Sequence, residues 1–299
     1  MSHEVELALT RPAFAAPRWD SEGSYDIVFV GVPNDGGSTS GSRSPANGPS
    51  FIRDASCLFP LRKDKAGASV GWYDYAAARP LLAGVRIADA GDFVCQRGRG
   101  MAQFDELSDV LDVIAATTKL LVVLAGDHST AYWTAKRLTG EALLWLDAHE
   151  DARGKAGPYP DHANVVSYID ELAGVPRIVQ YGLRGLVTNV RAPVPAKRRI
   201  VQDIPAVVAE LAGHDAVAVS IDIDVLDPTV CPCVTSPQPG GKSYDDLLGV
   251  LRAVTAAGHA IRVLELAEFA PRGSDEGAHA LGVVNFLLRA LAICTGGAA

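Results

Sequence analysis

A chain of 299 residues, with 48% hydrophobic and 21% charged residues, has the composition of a globular protein and suffices for one large α/β domain. Its formal net charge of -8 disfavours a nucleic-acid partner, because the sequence has no basic stripe that could neutralise phosphates. No apolar run reaches the roughly 20 residues that span a bilayer, so no membrane partner is predicted.

The beginning of the chain and its cysteines bear on where the protein works. Residues 1–20 contain no basic region followed by an apolar stretch, so the sequence predicts no secretory signal and favours the cytoplasm. The cysteines are odd in number and scattered, which indicates reduced thiols rather than a disulfide framework. They are Cys57, Cys95, Cys231, Cys233 and Cys294. Only one residue separates Cys231 from Cys233, which is weak evidence for a soft-metal site, and we interpret both as loop residues without an assigned role.

Short, continuous apolar runs alternate with helical patterns along most of the chain. This alternation is typical of a parallel sheet that is buried on both faces. The runs lie at 27–32, 85–88, 120–124, 142–146, 178–181, 216–223 and 261–266. The sequence therefore predicts one open, mostly parallel sheet, with ligands bound at the carboxyl ends of its strands.

The segments between these runs contain helix and loop signals. Apolar residues recur at helical spacing between 104 and 114, and Ser243 with Asp246 resembles a capping box that begins a helix. The stretch 36–49 is rich in Gly, Ser and Asn and is predicted to be a loop. Its glycines lack the spacing of a phosphate-binding loop.

Acids and histidines follow three of the predicted strands. The segments read Ala-Gly-Asp-His-Ser at 125–129, Asp-Ala-His-Glu-Asp at 147–151 and Ser-Ile-Asp-Ile-Asp at 220–224. Alternate residues of an extended segment point to the same side, so each of the last two segments presents its charged residues together. Six candidate metal ligands result: His128, Asp147, His149, Asp151, Asp222 and Asp224.

The chemistry of this set indicates a metal centre. Four carboxylates and two imidazoles without a thiolate suit hard or borderline ions such as Mn²⁺, and Co²⁺, Ni²⁺ and Fe²⁺ remain alternatives. Four negative charges match two dications. A single Asp after a strand is usually a helix cap, but three such motifs in succession favour metal binding over capping.

These three segments resemble the signature motifs of the ureohydrolase family, which contains arginases and agmatinases. The similarity begins at about residue 25 and extends to the segment 265–271. It implies a three-layer α/β/α fold, an N-terminal extension at 1–24 and a single catalytic domain at 25–299. It also implies a hydrolase acting on C–N bonds of linear amidines with two Mn²⁺ ions per chain, and a homo-oligomer of three or six chains.

The resemblance assigns roles to individual residues. Asp147 and Asp222 would bridge the two metals, His128 and Asp151 would complete one site, and His149 and Asp224 would complete the other. Asp151 is thereby also placed among the catalytic residues.

Two further residues match the family outside the metal motifs. Glu268 would hold the substrate's guanidinium, with Glu265 as its near competitor; in an extended chain the two point to opposite faces, so one should face away from the metals. His162, in the loop after the second motif, would act as a proton shuttle.

The substrate class is narrowed by one departure from the family pattern. Arginases typically have Asn where this chain has Arg153, so a small guanidino substrate other than free arginine is expected, as in agmatinase-like members. Arg153 and Lys155 either stand at the pocket mouth, where they would favour a guanidino acid such as 4-guanidinobutyrate over agmatine, or face solvent. A larger guanidino metabolite is a further alternative.

Three other classes were weighed. A binuclear metallophosphoesterase expects a later Asn-His and further lone histidines, whereas the later segment here has only carboxylates. Metal-dependent deacetylases typically have adjacent paired histidines, and this sequence has no His-His. A non-catalytic metal-binding relative of the fold usually loses ligands, and all six are present here.

Overall fold

The computed structural model describes residues 7–39, 43–95, 100–186, 195–273 and 276–296. Its strands are β1 (Leu7–Ala8), β2 (Tyr25–Val32), β3 (Trp72–Asp74), β4 (Arg79–Leu81), β5 (Ile87–Phe93), β6 (Thr118–Ala125), β7 (Ala142–Leu146), β8 (Ile178–Tyr181), β9 (Arg198–Val201), β10 (Ala216–Asp222) and β11 (Ala260–Ala267). Its α-helices are α1 (Gly48–Ser56), α2 (Leu107–Ala115), α3 (Ala131–Lys136), α4 (Val165–Ile169), α5 (Ile204–Leu211), α6 (Tyr244–Ala256) and α7 (Gly277–Cys294).

Nine of these strands form one sheet in the order β1-β5-β2-β6-β11-β10-β7-β8-β9. All neighbouring pairs are parallel except β1 with β5 at one edge, while β3 and β4 form a separate antiparallel hairpin. The predicted mostly parallel sheet is thus confirmed.

Helices cover both faces of the sheet, as the side chains of β2 illustrate. Phe29 joins the core cluster that contains residues of α1, α5, α6 and α7. Its neighbour Val28 joins a cluster on the opposite face that contains residues of α2, and α3 and α4 pack farther along that face. Successive residues of a strand point to opposite sides, so two buried faces require an apolar residue at every position. The three-layer α/β/α arrangement in a single domain is therefore confirmed.

The predicted elements are present with shifted ends. All seven apolar runs contain strands, although the run at 85–88 continues to Phe93. The capping box is confirmed, since the Ser243 side chain accepts from the Asp246 backbone and the Asp246 side chain accepts from the Ser243 backbone. The sequence did not predict β1, β9, the β3–β4 hairpin, α1 or α7.

The loop prediction for 36–49 is wrong at its end, because α1 begins at Gly48; residues 40–42 lie outside the described part. A Cβ on Gly48 would stand 2.4 Å from the carbonyl oxygen of Phe269. This glycine therefore permits a close approach between α1 and the segment after β11.

The described part of the predicted N-terminal extension packs on the domain. Leu7 pairs with Phe93, and Phe14 is fully buried. The backbone N–H of Ala13 donates to Asp89, which also forms a buried ion pair with Arg53 of α1. Such a buried pair holds its partners in place mainly because neither charge can be left alone in the core.

Helix α7 is long and apolar enough, by length and composition, to cross a membrane. It packs against α1 and α6, and residues such as Val283, Phe286 and Leu287 are buried in the core. Packing between helices accounts for its apolar character, as in the core helix of a globular protein.

Candidate metal centre and active site

The candidate site lies at the carboxyl ends of four neighbouring strands. In the sheet these strands follow one another as β6-β11-β10-β7. Each is followed by polar or charged residues that meet at this edge, which is where ligands bind in open α/β sheets. All six predicted metal ligands and Glu268 belong to these segments, and His162 reaches them from a longer loop.

One group of four candidate ligands surrounds the buried ring of His128. The Nδ1 atom of His128 lies 3.3 Å from Asp147 Oδ2, 3.4 Å from Asp151 Oδ2 and 3.3 Å from Asp222 Oδ2. This nitrogen is buried and has no hydrogen-bond partner. A cation among these four atoms would satisfy it, because imidazole and carboxylate are the donors that borderline divalent ions bind.

A second group consists of Asp147, His149 and Asp224. His149 Nδ1 lies 2.8 Å from Asp224 Oδ2 and 3.9 Å from Asp147 Oδ1. Asp147 belongs to both groups, with its Oδ2 facing the first and its Oδ1 facing the second. In each group the ligand atoms lie within 4.8 Å of one another, so each could hold a metal ion.

The electrostatics of the cluster favour a cation. Burial raises the pKa of Asp222, and the nearby carboxylates of Asp224 and Asp147 raise it further. Burial likewise raises the pKa of Asp151, as does its neighbour Asp147. Buried carboxylates this close repel one another, and positive charge is required if all are to stay ionised.

Bonds from neighbouring side chains orient the ligands. The indole Nε1 of Trp145 donates to Asp147 Oδ2 at 2.8 Å, and the same indole stacks on the His128 ring at 3.9 Å between centroids. His128 Nε2 lies 2.9 Å from the Ser220 hydroxyl, which leaves Nδ1 facing the carboxylates. Fixing the far nitrogen in this way sets the orientation of a metal-binding histidine.

Two site residues have left-handed backbone conformations, Asp151 with φ of 46° and Glu268 with φ of 63°. Neither is a glycine, so tertiary contacts must maintain these conformations. The Asp151 carbonyl accepts from Val166 N at 2.8 Å, and Glu268 N donates to the Gly126 carbonyl at 2.8 Å.

Glu268 and His162 form a hydrogen-bonded pair beside the metal groups. Glu268 Oε1 lies 3.2 Å from His162 Nδ1 and accepts from the backbone N–H of His128 at 2.9 Å, while Oε2 accepts from Thr235 at 2.6 Å. Burial raises the pKa of Glu268, but His162, the Thr235 hydroxyl and the backbone N–H of His128 together lower it by more, so the net shift is downward. Burial lowers the pKa of His162, but Glu268, Asp151 and Asp127 together raise it by more, so the net shift is upward. The backbone N–H of Thr39 donates to Nε2 of His162 at 3.1 Å, so the ring proton lies on Nδ1, where it faces Glu268.

Glu265 does not line the cavity and belongs to neither ligand group, in keeping with the prediction that one of the two glutamates faces away from the metals. Its buried carboxylate accepts from Ser220 at 3.1 Å and from Thr134, and so lies behind His128. Strand β11 ends at Ala267, and Glu268, whose backbone is left-handed, lines the cavity. Both glutamates are consequently close to His128, on different sides of it.

A cavity of about 240 Å³ opens over the cluster. Its lining residues are Thr39, His149, Glu150, Asp151, Arg153, His162, Ala163, Asp222, Asp224, Thr235, Ser236 and Glu268. Arg153 thus lies at the cavity, whereas Lys155 is bound to Glu171 at 2.5 Å and is not among the lining residues. Cys231 and Cys233 are buried free thiols that do not line it either.

No sequence pattern pointed to Thr39, Thr235 or Ser236 as site residues. Thr39 Oγ1 lies 2.8 Å from His162 Nε2, so Thr39 and Glu268 hold the two ring nitrogens. Such single hydroxyls in loops have no diagnostic spacing, and only their neighbours in space indicate a role.

Comparison with known proteins identifies similarity over almost the whole chain. The model of the arginase family matches residues 25–292. Formimidoylglutamase of Halobacterium salinarum is 28% identical over 265 residues, covering 83% of this chain and 81% of that protein. Agmatinase of Sodalis glossinidius is 27% identical over 271 residues, covering 85% and 84% respectively.

Solved structures show the same fold. Proclavaminate amidino hydrolase from Streptomyces clavuligerus aligns with a TM-score of 0.77 at 23% identity, over 96% of this chain and 98% of that one. Agmatine ureohydrolase of Thermoplasma volcanium aligns with a TM-score of 0.76 at 23% identity, over 96% and 95%. At this identity the likeness establishes the fold alone.

Proposed function

This chain belongs to the arginase family, and from that premise we propose that it hydrolyses a guanidino compound to an amine and urea at a centre of two divalent metal ions. The family's hydrolases act on C–N bonds of linear amidines. The observation that carries the proposal is the pair of adjoining ligand groups that share Asp147, one of them around an unpartnered buried nitrogen of His128. The relatives named above carry different activities, so family membership leaves the substrate open.

The two ions would be held as the family arrangement implies. Asp147 and Asp222 would be shared by the two ions, His128 and Asp151 would bind one ion, and His149 and Asp224 would bind the other. Among the described residues Asp147 lies in both ligand groups, whereas Asp222 lies in the first. Such a pair of ions acts as a Lewis acid and makes water a usable nucleophile near neutral pH. The oxygen-rich, thiolate-free donor set supports Mn²⁺, with Co²⁺, Ni²⁺ and Fe²⁺ as alternatives.

Glu268 would bind the guanidinium of the substrate. Its carboxylate is almost fully buried and lines the cavity next to Asp151. A carboxylate accepts up to about four hydrogen bonds, so capacity remains beyond the donors already present. A charge-assisted bond from the guanidinium would hold the reacting carbon over the metal cluster.

His162 would supply the proton that the departing amine requires. Its ring lines the cavity between Glu268 and Thr39, and although burial lowers its pKa, Glu268 and the nearby acids raise it, which supports a role in proton transfer. We expect His162→Asn to lower kcat by about 10²-fold or more, the usual contribution of a general acid. His162 belongs to neither metal group, so metal content should stay as in the wild type. A kcat within twofold of the wild-type value would exclude this role.

The proposed reaction is tested by urea release from the Mn²⁺-loaded protein. The panel comprises agmatine, arginine, 4-guanidinobutyrate, 3-guanidinopropionate, free guanidine and larger guanidino metabolites, with Asp147→Ala as the inactive control. We expect urea from at least one compound with the wild type and none with the variant. Two bound metals and no urea from any compound would contradict the proposal and favour a non-catalytic relative of the fold.

We further infer a cytoplasmic enzyme that forms a homo-oligomer of three or six chains, as the family resemblance implies. Light scattering coupled to size-exclusion chromatography measures the number of chains directly. A monomer at micromolar concentration would contradict this expectation.

A further inference from the structure

The cavity contains two charged side chains that neither metal group nor the Glu268–His162 pair uses. These are Glu150 and Arg153, both from the segment after β7. They lie in the sequence on either side of Asp151, whose left-handed backbone turns the chain at this point. These two residues are therefore available to a charged group of the substrate beyond its guanidinium.

The negative charge of Glu150 is already balanced by a positive side chain of the protein. Its Oε1 lies 3.4 Å from Nη1 of Arg198, whose side chain is buried. Arg198 is held in turn by Gln180, which accepts from its Nε at 2.6 Å. Glu150 thus has a fixed cationic partner and adds little net charge to the cavity.

Arg153 differs from Glu150 in its electrostatic surroundings. Its backbone is fixed, because its N–H donates to the Ala163 carbonyl at 3.1 Å and its carbonyl accepts from the Ser167 hydroxyl at 3.0 Å. Within the described ranges, no carboxylate forms an ion pair with its guanidinium. A positioned, exposed arginine without an internal counter-ion suits planar, bidentate recognition of a carboxylate.

Lys155 carries the same charge, but its contacts direct it away from the cavity. Its Nζ bonds Glu171 at 2.5 Å and lies over the Tyr168 ring, 4.8 Å from the centroid. Of the two basic residues Arg153 and Lys155, therefore, Arg153 lines the cavity and Lys155 does not.

We propose that Arg153 binds a carboxylate at the far end of the substrate, so that this enzyme acts on an ω-guanidino acid in preference to agmatine. The inference rests on the proposed function and names its substrate class. Glu268 takes the guanidinium at one end and Arg153 takes the anion at the other, which fixes the direction in which the substrate binds. Agmatine instead presents an ammonium that Arg153 repels.

Charge reversal at Arg153 tests this assignment, and Lys155→Glu is its matched control. The measured quantity is the ratio of kcat/KM for 4-guanidinobutyrate to kcat/KM for agmatine. Wild-type protein should favour the acid, and Arg153→Glu should lower the ratio by about 10- to 100-fold, the range expected for losing a charge-assisted hydrogen bond. Lys155→Glu should change the ratio by less than about twofold, because its exposed pair contributes little. Arg153→Lys should retain part of the preference.

The result that would overturn the proposal is a wild-type preference for agmatine, or an unchanged ratio in Arg153→Glu. Calorimetric binding of 4-guanidinobutyrate and agmatine to the Mn²⁺-loaded protein separates this failure from that of the proposed reaction. If no compound releases urea, the proposed reaction is contradicted. The binding data then still test whether Arg153 binds the carboxylate. Selective binding of the acid that Arg153→Glu abolishes supports the anion site, and equal binding of both compounds overturns it.

Discussion

Replacing Asp147 by asparagine is expected to remove both metal ions and lower urea release by at least about 10³-fold, because metal coordination contributes several kcal/mol to such reactions. The reason lies in the geometry, since Asp147 offers one oxygen to each ligand group. Asparagine has nearly the same size as aspartate, and its amide oxygen can still accept from Trp145 Nε1. It lacks the negative charge that holds a dication. Metal content per chain, measured by mass spectrometry after dialysis, checks the expectation.

Asp224→Asn provides the matched comparison. Asp224 belongs only to the second group, so this variant should keep one ion in the group around His128. The melting temperature gives a second readout, because a ligand that binds only the folded state stabilises it. Added Mn²⁺ should raise the melting temperature of the wild type and of Asp224→Asn but not of Asp147→Asn. Retention of two ions by Asp147→Asn would refute the shared-ligand arrangement.

Glu268→Gln is expected to lower kcat/KM by about 10²- to 10³-fold while both metal ions remain bound. The carboxylate loses the charge that pairs with the substrate's guanidinium, and a charged hydrogen bond together with its role in the transition state accounts for a loss of this size. Glutamine retains an oxygen that can accept from Thr235 or from the backbone of His128. Steady-state kinetics on the best substrate of the panel measure the effect.

Glu265→Gln is the contrasting variant, since it alters an equally buried carboxylate three residues earlier. Glu265 does not line the cavity and reaches His128 through Ser220. Its loss should weaken metal affinity by about 10- to 100-fold, as for other residues that orient a metal ligand, with little change in KM once metal is saturating. If instead Glu265→Gln raises KM and Glu268→Gln does not, the two roles are exchanged.

Local patterns in the sequence were sufficient for much of the fold. The seven apolar runs contain strands because burial on both faces requires continuous apolar residues, which is a property of each segment alone. Elements whose stability depends on distant partners escaped prediction. Strand β9 contains two arginines and resembles a strand only beside β8, and α1 begins in a Gly-rich stretch that packs against Phe269.

The metal motifs were also readable from the sequence, because each comes directly after a strand and carries its ligands within five residues. The six candidate ligands form two adjoining groups, which the motifs alone do not define. The position of Glu268 beside the candidate metal ligands, by contrast, does not follow from its own motif. It depends on β11 lying between β6 and β10 in the sheet, although β11 is the last strand of the chain.

Local sequence patterns were enough to identify an α/β domain with a carboxylate-rich candidate metal centre, because residue type and spacing within a segment establish its local chemistry. The placement of Glu265 and Glu268 around His128, and the choice of Arg153 rather than Lys155 at the cavity, depend on tertiary contacts. Strand order, the left-handed turns at Asp151 and Glu268, and the pairing of Lys155 with Glu171 make those choices. Each is a contact or conformation that depends on residues distant in the chain, so residue spacing along the sequence does not predict it.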